Sequence, residues 1–362
     1  MIRNFHVEFL SQVCGATLYH QLGEFMKRIR IFFIIFCSFI FIAALTSVLF
    51  TYKILSTEKE EIPEKENLII GFSQIGTESS WRIRNTESIF EAAAEKNIKI
   101  LFDDAKQKQS NQLKAIRSFI VYQVDVIVFV PIVSDGWNNV LQEAKEADIP
   151  VIVIDRQIDV DSSLYAGFLG ENGYEEGKSA GKFLLQKTKN MKNQKINILE
   201  LSGTENSSIA LERAGGFREM IKNDDRLNII HSEDGDFLRS RGKEIMDKII
   251  EMNNGLFLNG EPVDVIFSHN DPMTLGILES FENNGIFEYP IIISIDAEQE
   301  SIDALVNGKI DCVVECNPNL GPVLMELVEA VAAKKEIPRV TYMNEKVFTE
   351  NDDFSSYTPR EY

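Results

Sequence analysis

Short apolar runs recur along most of the chain, separated by stretches in which apolar positions return every three or four residues. Leu68 to Phe72, Ile98 to Phe102, Val126 to Val130, Val151 to Ile154, Ile196 to Leu201, Leu227 to Ile230, Val263 to Phe267 and Ile291 to Ile295 are such runs and predict buried strands. Between them, Leu113, Ile116 and Ile120, or Val140, Leu141, Ala144 and Ala147, line up on one helical face. Strand alternating with helix predicts parallel sheets covered on both faces. The runs form two sets with similar internal spacing, so the fold class is α/β with two doubly wound parallel-sheet domains. The longer stretch from Gln157 to Lys195, containing Leu164 to Leu169, is the natural first crossover between them. Ile310 to Val314, the helical pattern Leu320 to Ala333 and the extended Val340 to Phe348 are candidates for further crossovers.

A different pattern opens the chain. Ile31 to Tyr52 carries no charge and is long enough to span about 30 Å of hydrocarbon as a helix. Lys27, Arg28 and Arg30 precede it, which predicts a cytoplasmic N-terminus and an exported remainder. A cleaved signal is the rival reading, with a weak site at Ala43-Ala44-Leu45-Thr46-Ser47, but its apolar core normally runs about 7 to 15 residues. An uncleaved membrane anchor is therefore expected over residues 31–52. Cys37 follows Phe36, where a lipidation signal has a small residue, and reads as an apolar helix residue. Met26 opens a basic-then-apolar segment, which makes it an alternative start to Met1. The expected organisation is 1–30 cytoplasmic, 31–52 anchor and 53–66 an acidic stalk around Pro63. Residues 67–168 plus about 318–336 then form the first domain, 169–317 plus about 338–350 the second, and 351–362 a tail.

Composition adds exclusions. The 362 residues suit about two domains at roughly 150 each, and 44% apolar with 26% charged residues excludes global disorder. Residues 1–52 carry four Lys/Arg against two Asp/Glu, which leaves 33 against 54, a net charge of −21, on the rest. No basic cluster tracks phosphates, so no nucleic-acid partner is expected. If Cys312 to Cys316 is a strand, its sulfurs lie roughly 13 Å apart on one face, too far for a disulfide. His6, His20, His231 and His269 show no paired spacing, so neither a metal nor a cofactor is predicted.

In open α/β sheets ligands bind beyond the carboxyl ends of the strands. Those ends are polar here: Ser73-Gln74, Asp103-Asp104, Asp155-Arg156, Glu200, Ser268-His269-Asn270-Asp271, Asp296 and Glu315-Cys316-Asn317. Planar carboxylate, amide and guanidinium groups hydrogen-bond adjacent hydroxyls in pairs, and aromatic rings cover a sugar's apolar face, which makes sugar the leading ligand class. Trp81 and Trp137, the two tryptophans, both follow strand ends and can both face a cleft; Arg82 shares the position of Trp81. Read alone, Asp155-Arg156 fits a surface ion pair or a cap, Asp271 fits an N-cap before Pro272, His269 a structural imidazole and Arg213 a solvent-facing helix cation.

At these residues the sequence resembles the periplasmic sugar-binding proteins of the ribose-binding class (type I), most closely their galactofuranose-binding branch. The resemblance runs from about Leu68 to Phe348 and rests on Gly71-Phe72-Ser73-Gln74, Glu78-Ser79-Ser80-Trp81-Arg82, Lys106 to Gln112, Gly136-Trp137, Ile154-Asp155-Arg156, Gly235-Asp236-Phe237, His269-Asn270-Asp271, Ser294-Ile295-Asp296 and Asn317-Pro318-Asn319. Pro272 and Ala297 depart from the branch pattern, as does the loop Gly203-Thr204-Glu205-Asn206. The resemblance implies two domains joined by three hinge strands around a monosaccharide, a pentose or hexose such as galactofuranose. It implies ligand-binding roles for Trp81, Arg82, Asp104, Asp155, Arg156, Arg213, Asn270 and Asp296. The expected function is that of an extracytoplasmic receptor delivering sugar to the permease subunits of an ABC importer, with no chemistry of its own. A sugar-sensing partner of a membrane histidine kinase or chemoreceptor is the alternative, and a glycosidase using two of Asp103, Asp104, Asp155, Asp271 and Asp296 the weaker one.

Overall fold

The computed structural model describes residues 2–56, 67–191, 195–355 and 357–362. They form two compact units, 1–66 and 67–362. The first is the helix α1, Ile2–Ser56. Its segment Gly23–Lys53 is long and apolar enough to cross a membrane, and side chains such as Phe32, Phe36, Phe39 and Phe50 are exposed rather than packed in a core. The stalk expected from residue 53 begins later, because Lys53 to Ser56 continue the helix; the rest of that stretch lies outside the described residues.

The second unit holds two six-stranded sheets. The first half runs β1 (Ile69–Gln74), α2 (Ser80–Glu95), β2 (Lys99–Asp104), α3 (Gln109–Val121), β3 (Val126–Phe129), α4 (Asn138–Glu146), β4 (Val151–Asp155) and β5 (Gly167–Gly170). The second runs α5 (Gly173–Lys187), β6 (Ile196–Ser202), α6 (Ser208–Ile221), β7 (Leu227–Asp234), α7 (Arg239–Asn253), a small hairpin of β8 (Phe257–Leu258) and β9 (Glu261–Pro262), β10 (Val265–Ser268), α8 (Asp271–Asn283), β11 (Ile291–Asp296), α9 (Gln299–Val306) and β12 (Cys312–Glu315). The chain then returns to the first half as α10 (Gly321–Ala332), which lies against α2, and β13 (Val340–Tyr342), and ends in the second sheet with β14 (Val347–Thr349).

The strand orders are β13-β5-β4-β3-β1-β2 and β14-β12-β11-β10-β6-β7, parallel apart from β14. Both place a topological switch point beside the first strand of the set, between β1 and β3 and between β6 and β10. Central strands such as β3 and β4 are wholly buried, as their unbroken Val/Ile runs predict. β2 differs from its expectation as a buried strand: it is a sheet edge, and Leu101 and Phe102 are exposed. Three crossovers join the halves, at Glu171–Asn172, at Cys316–Leu320 and at residues 343–346.

The domain limits shift accordingly. Leu169 and Gly170, expected in the second domain, pair with Ile154 and Asp155 in the first sheet. Val340–Tyr342, also expected in the second, pairs with Phe168–Gly170, because parallel pairing to the open edge of β5 completes the first sheet. The expected tail docks on the second half through residues 357–362: Tyr362 is buried in the second core, its carbonyl accepts from the Gln299 amide at 2.6 Å, and Arg360 pairs with Glu315 at 2.6 Å.

Candidate functional site

The carboxyl ends of both sheets face one narrow cavity, about 370 Å³ with its open mouth included. Its walls include Glu78, Ser79, Trp81, Arg82, Asp155 and Arg156 from the first half and Ile209, Arg213, Phe237, Asn270 and Asp296 from the second, with Cys316 at a crossover. A larger groove, about 1280 Å³ with its open mouth, lies at the opposite ends of β3 and β4, and its Asp148 and Lys334 are exposed surface charges.

Local sequence explains how each side chain is aimed. Ser79 caps α2 by accepting from the Arg82 amide at 3.1 Å, which starts the helix with Trp81 and Arg82 at the cavity. The Trp81 indole N–H donates to the Cys316 carbonyl at 2.6 Å and its backbone N–H to Glu298 at 2.9 Å, so a first-half helix is tied to the second half and to a crossover. The Arg82 guanidinium lies 4.6 Å over the Trp81 ring and donates to Asp155 at 2.5 Å and to Glu78 at 3.3 Å. Asp155, at the end of β4, holds φ at +64°, and Asp296, at the end of β11, holds +129°; carboxylates kept in such costly conformations are oriented by the fold.

Across the cavity, Arg213 on α6 donates to Glu176 at 2.6 Å and to the His269 carbonyl at 2.6 Å, with Asp296 at 3.7 Å. Phe237, also at positive φ (+60°), carries the Arg156 guanidinium 4.9 Å over its ring and that of Arg213 at 5.9 Å. Gly203 makes room for that ring, since a Cβ there would sit 1.9 Å from it. Asn270 is the N-cap of α8, accepting from the Met273 amide at 3.1 Å and donating to the Phe237 carbonyl at 3.1 Å. One amide hydrogen and one lone pair of Asn270 are left over for a ligand.

The electrostatics point to a neutral guest. Arg82, Arg156 and Arg213 face Glu78, Asp155 and Asp296, equal numbers of basic and acidic groups. Arg156 donates to the Ile132 carbonyl at 3.1 Å while its buried Nε has no partner; burial, with Arg82 and Arg213 nearby, pushes its pKa down to about 10. Burial outweighs the Arg213 attraction and raises the Asp296 carboxyl well above its ordinary range. Planar donors and acceptors fixed between an indole and a phenyl ring can bind a small polyhydroxylated ring.

Seven of the eight expected site residues come together here; Asp104 does not. It closes a turn by accepting from the Lys106 amide at 2.9 Å, at the end of the edge strand β2. Trp137 is also away from the cavity: fully buried, it packs at a tilt against Phe129 with ring centroids 4.9 Å apart and donates to the Val133 carbonyl at 2.8 Å. The N-cap expected at Asp271 is Asn270. Asp271 instead accepts from the Glu298 amide at 2.7 Å and from Ser294. His269 is structural, fully buried with its Nε2 3.3 Å from Glu200. Glu78, Phe237 and Cys316 were missed as site residues, although Gly235-Asp236-Phe237 sits at a strand end.

Residues 70–336 match the family model described as a periplasmic binding protein domain. The chain belongs to this family. It is 38% identical over 265 residues to the galactofuranose-binding protein YtfQ of Escherichia coli K12, covering 72% of this chain and 81% of that one. A Mycobacterium smegmatis structure in complex with β-D-fucofuranose superimposes with a TM-score of 0.73 at 40% identity, covering 78% and 91% of the two chains. The fructose-binding periplasmic domain of a hybrid two-component system does so with a TM-score of 0.70 at 25% identity, covering 79% and 92%. The family is one of binding proteins, not enzymes, which removes the glycosidase reading.

Proposed function

We propose that this protein is a membrane-tethered extracytoplasmic receptor that closes its two halves around one monosaccharide in furanose form and hands it to an ABC importer. The observation that carries this reading is the cage in which Trp81, Arg82, Asp155 and Arg156 come from one half and Arg213, Phe237, Asn270 and Asp296 from the other. A ligand bridging the two sets makes its full contacts only when the halves are together, so binding favours the closed state by that difference. The similarity to a galactofuranose-binding protein and to a fucofuranose complex supports a furanose over other rings. The anchor fits a receptor held at the outer face of the cytoplasmic membrane. A sensory role beside a histidine kinase is the second reading, favoured by the similarity to the sugar-binding domain of a two-component system.

Thermal denaturation of the full chain in detergent, against a panel of pentoses and hexoses, tests the ligand class. A saturable rise in Tm with sugars that form furanoses is expected, because a ligand that binds only the native state stabilises it by mass action. No shift across the panel contradicts a sugar receptor. Deleting the gene separates the roles: loss of sugar uptake supports import, while intact uptake with lost sugar-induced transcription supports sensing.

A further inference from the structure

All three crossovers bring an ionisable side chain to one place. Glu171 is at the first, Cys316 opens the second, and Glu345 lies in the third; Glu176, in the first turn of α5, joins them. One carboxylate oxygen each of Glu176 and Glu345 and the Cys316 sulfur all lie within 4.8 Å of one another. Glu171, Glu176 and Cys316 are at most 3% exposed, whereas Glu345 is half-buried. Both oxygens of Glu171, one of Glu176 and one of Glu345 are buried with no hydrogen-bond partner. An unpaired buried carboxylate is costly, and among the described residues only Glu176 of these three pairs with a cation, Arg213, which also faces Asp296. A divalent cation that displaced protons from these acidic groups would supply the counter-charge that one guanidinium, shared with Asp296, does not.

We propose that Glu176, Cys316 and Glu345, with Glu171 beside them, form a binding site for a borderline-soft divalent cation of the Zn2+ type that ties the three crossovers together. A thiolate beside carboxylates disfavours Mg2+ and Ca2+, which take oxygen ligands, and suits tetrahedral zinc. Zinc bonds of about 2.0 to 2.3 Å place these oxygen and sulfur ligand atoms roughly 3.3 to 3.5 Å apart, so the cluster needs to close by about 1.5 Å at most. In the absence of an ion, burial and the neighbouring carboxylates push Glu345 up to about 11 and the Cys316 thiol above its ordinary value, and a cation would displace those protons.

The test uses the full chain in detergent, stripped with a chelator and titrated with ZnCl2 near neutral pH, alongside Cys316→Ser and Glu345→Gln proteins shown to be folded by circular dichroism. Saturable uptake of one Zn2+ per chain is expected, weakened by roughly tenfold or more in each variant, as loss of a ligand should cost at least what loss of an outer partner does. Co2+ in place of Zn2+ should show a thiolate-to-cobalt charge-transfer band that Cys316→Ser removes. Absence of saturable uptake would overturn the site and leave the carboxyl groups sharing protons. Uptake undiminished in both variants, or equal competition by Mg2+ or Ca2+, would overturn it as well.

Discussion

Replacing Arg156 by alanine separates a ligand contact from a structural one. The side chain is 4% exposed, makes one recorded hydrogen bond, to the Ile132 carbonyl, and keeps a buried Nε without a partner. Its depressed pKa, about 10, means that the fold disfavours its charge, so removal should leave stability nearly unchanged or raise it. The sugar hydroxyls, by contrast, lose at least one hydrogen bond to a charged group. Such a bond contributes about 1.5 to 3 kcal/mol, which weakens binding roughly 10- to 150-fold. Isothermal titration calorimetry with the best sugar of the panel gives the affinity ratio, and thermal denaturation without sugar gives the stability change. Affinity within about twofold of the parent, or a large fall in Tm with no ligand present, would refute the reasoning: the first shows that Arg156 does not touch the sugar, the second that its burial is a net support of the fold.

Other outcomes follow from the same geometry. Asn270→Ala should lower both properties, since the residue caps α8: Tm falls by the equivalent of about 1 kcal/mol and affinity drops less than for Arg156→Ala, and an unchanged Tm would contradict the capping role. Burial and nearby Glu298 push the Asp271 carboxyl up to about 8, so the folded chain holds a proton that the unfolded chain gives up near pH 4. Stability contributed by this group is therefore fully present at low pH and is lost as pH rises towards about 8; Asp271→Asn should flatten the Tm profile between about pH 5 and 8, and a slope equal to the parent's would contradict this. Mass spectrometry of membrane-extracted protein should find peptides from before residue 53; a mature N-terminus within residues 44–66 would replace the anchor by a cleaved signal.

Strands and helices were legible because each half is a run of local signals: buried β-branched segments, then amphipathic spacing. Lateral order was not. Nothing near Leu101 and Phe102 distinguishes an edge strand from a central one, and the resemblance implied a cavity role for Asp104, which caps a turn at the end of that edge strand instead. Trp81 and Trp137 look alike in sequence, each after a strand end. They part because Ser79 caps α2 and aims Trp81 at Cys316, whereas Trp137 folds back on Phe129. Val340–Tyr342 is too short to declare its sheet, and pairing with β5 decides it. The Glu176, Cys316 and Glu345 cluster has no linear spacing to find, since residues up to 169 positions apart meet only when three separate crossovers converge.

The central claim is that both halves grip one furanose ring. A crystal structure of the globular part grown with D-galactose, or with the panel sugar that raises Tm most, tests it directly. The account predicts a single sugar, in furanose form, between Trp81 and Phe237, bonded to Arg156 and Arg213. Sugar bound elsewhere, such as the groove beside Asp148 and Lys334, or an empty cavity at saturating sugar, would contradict it.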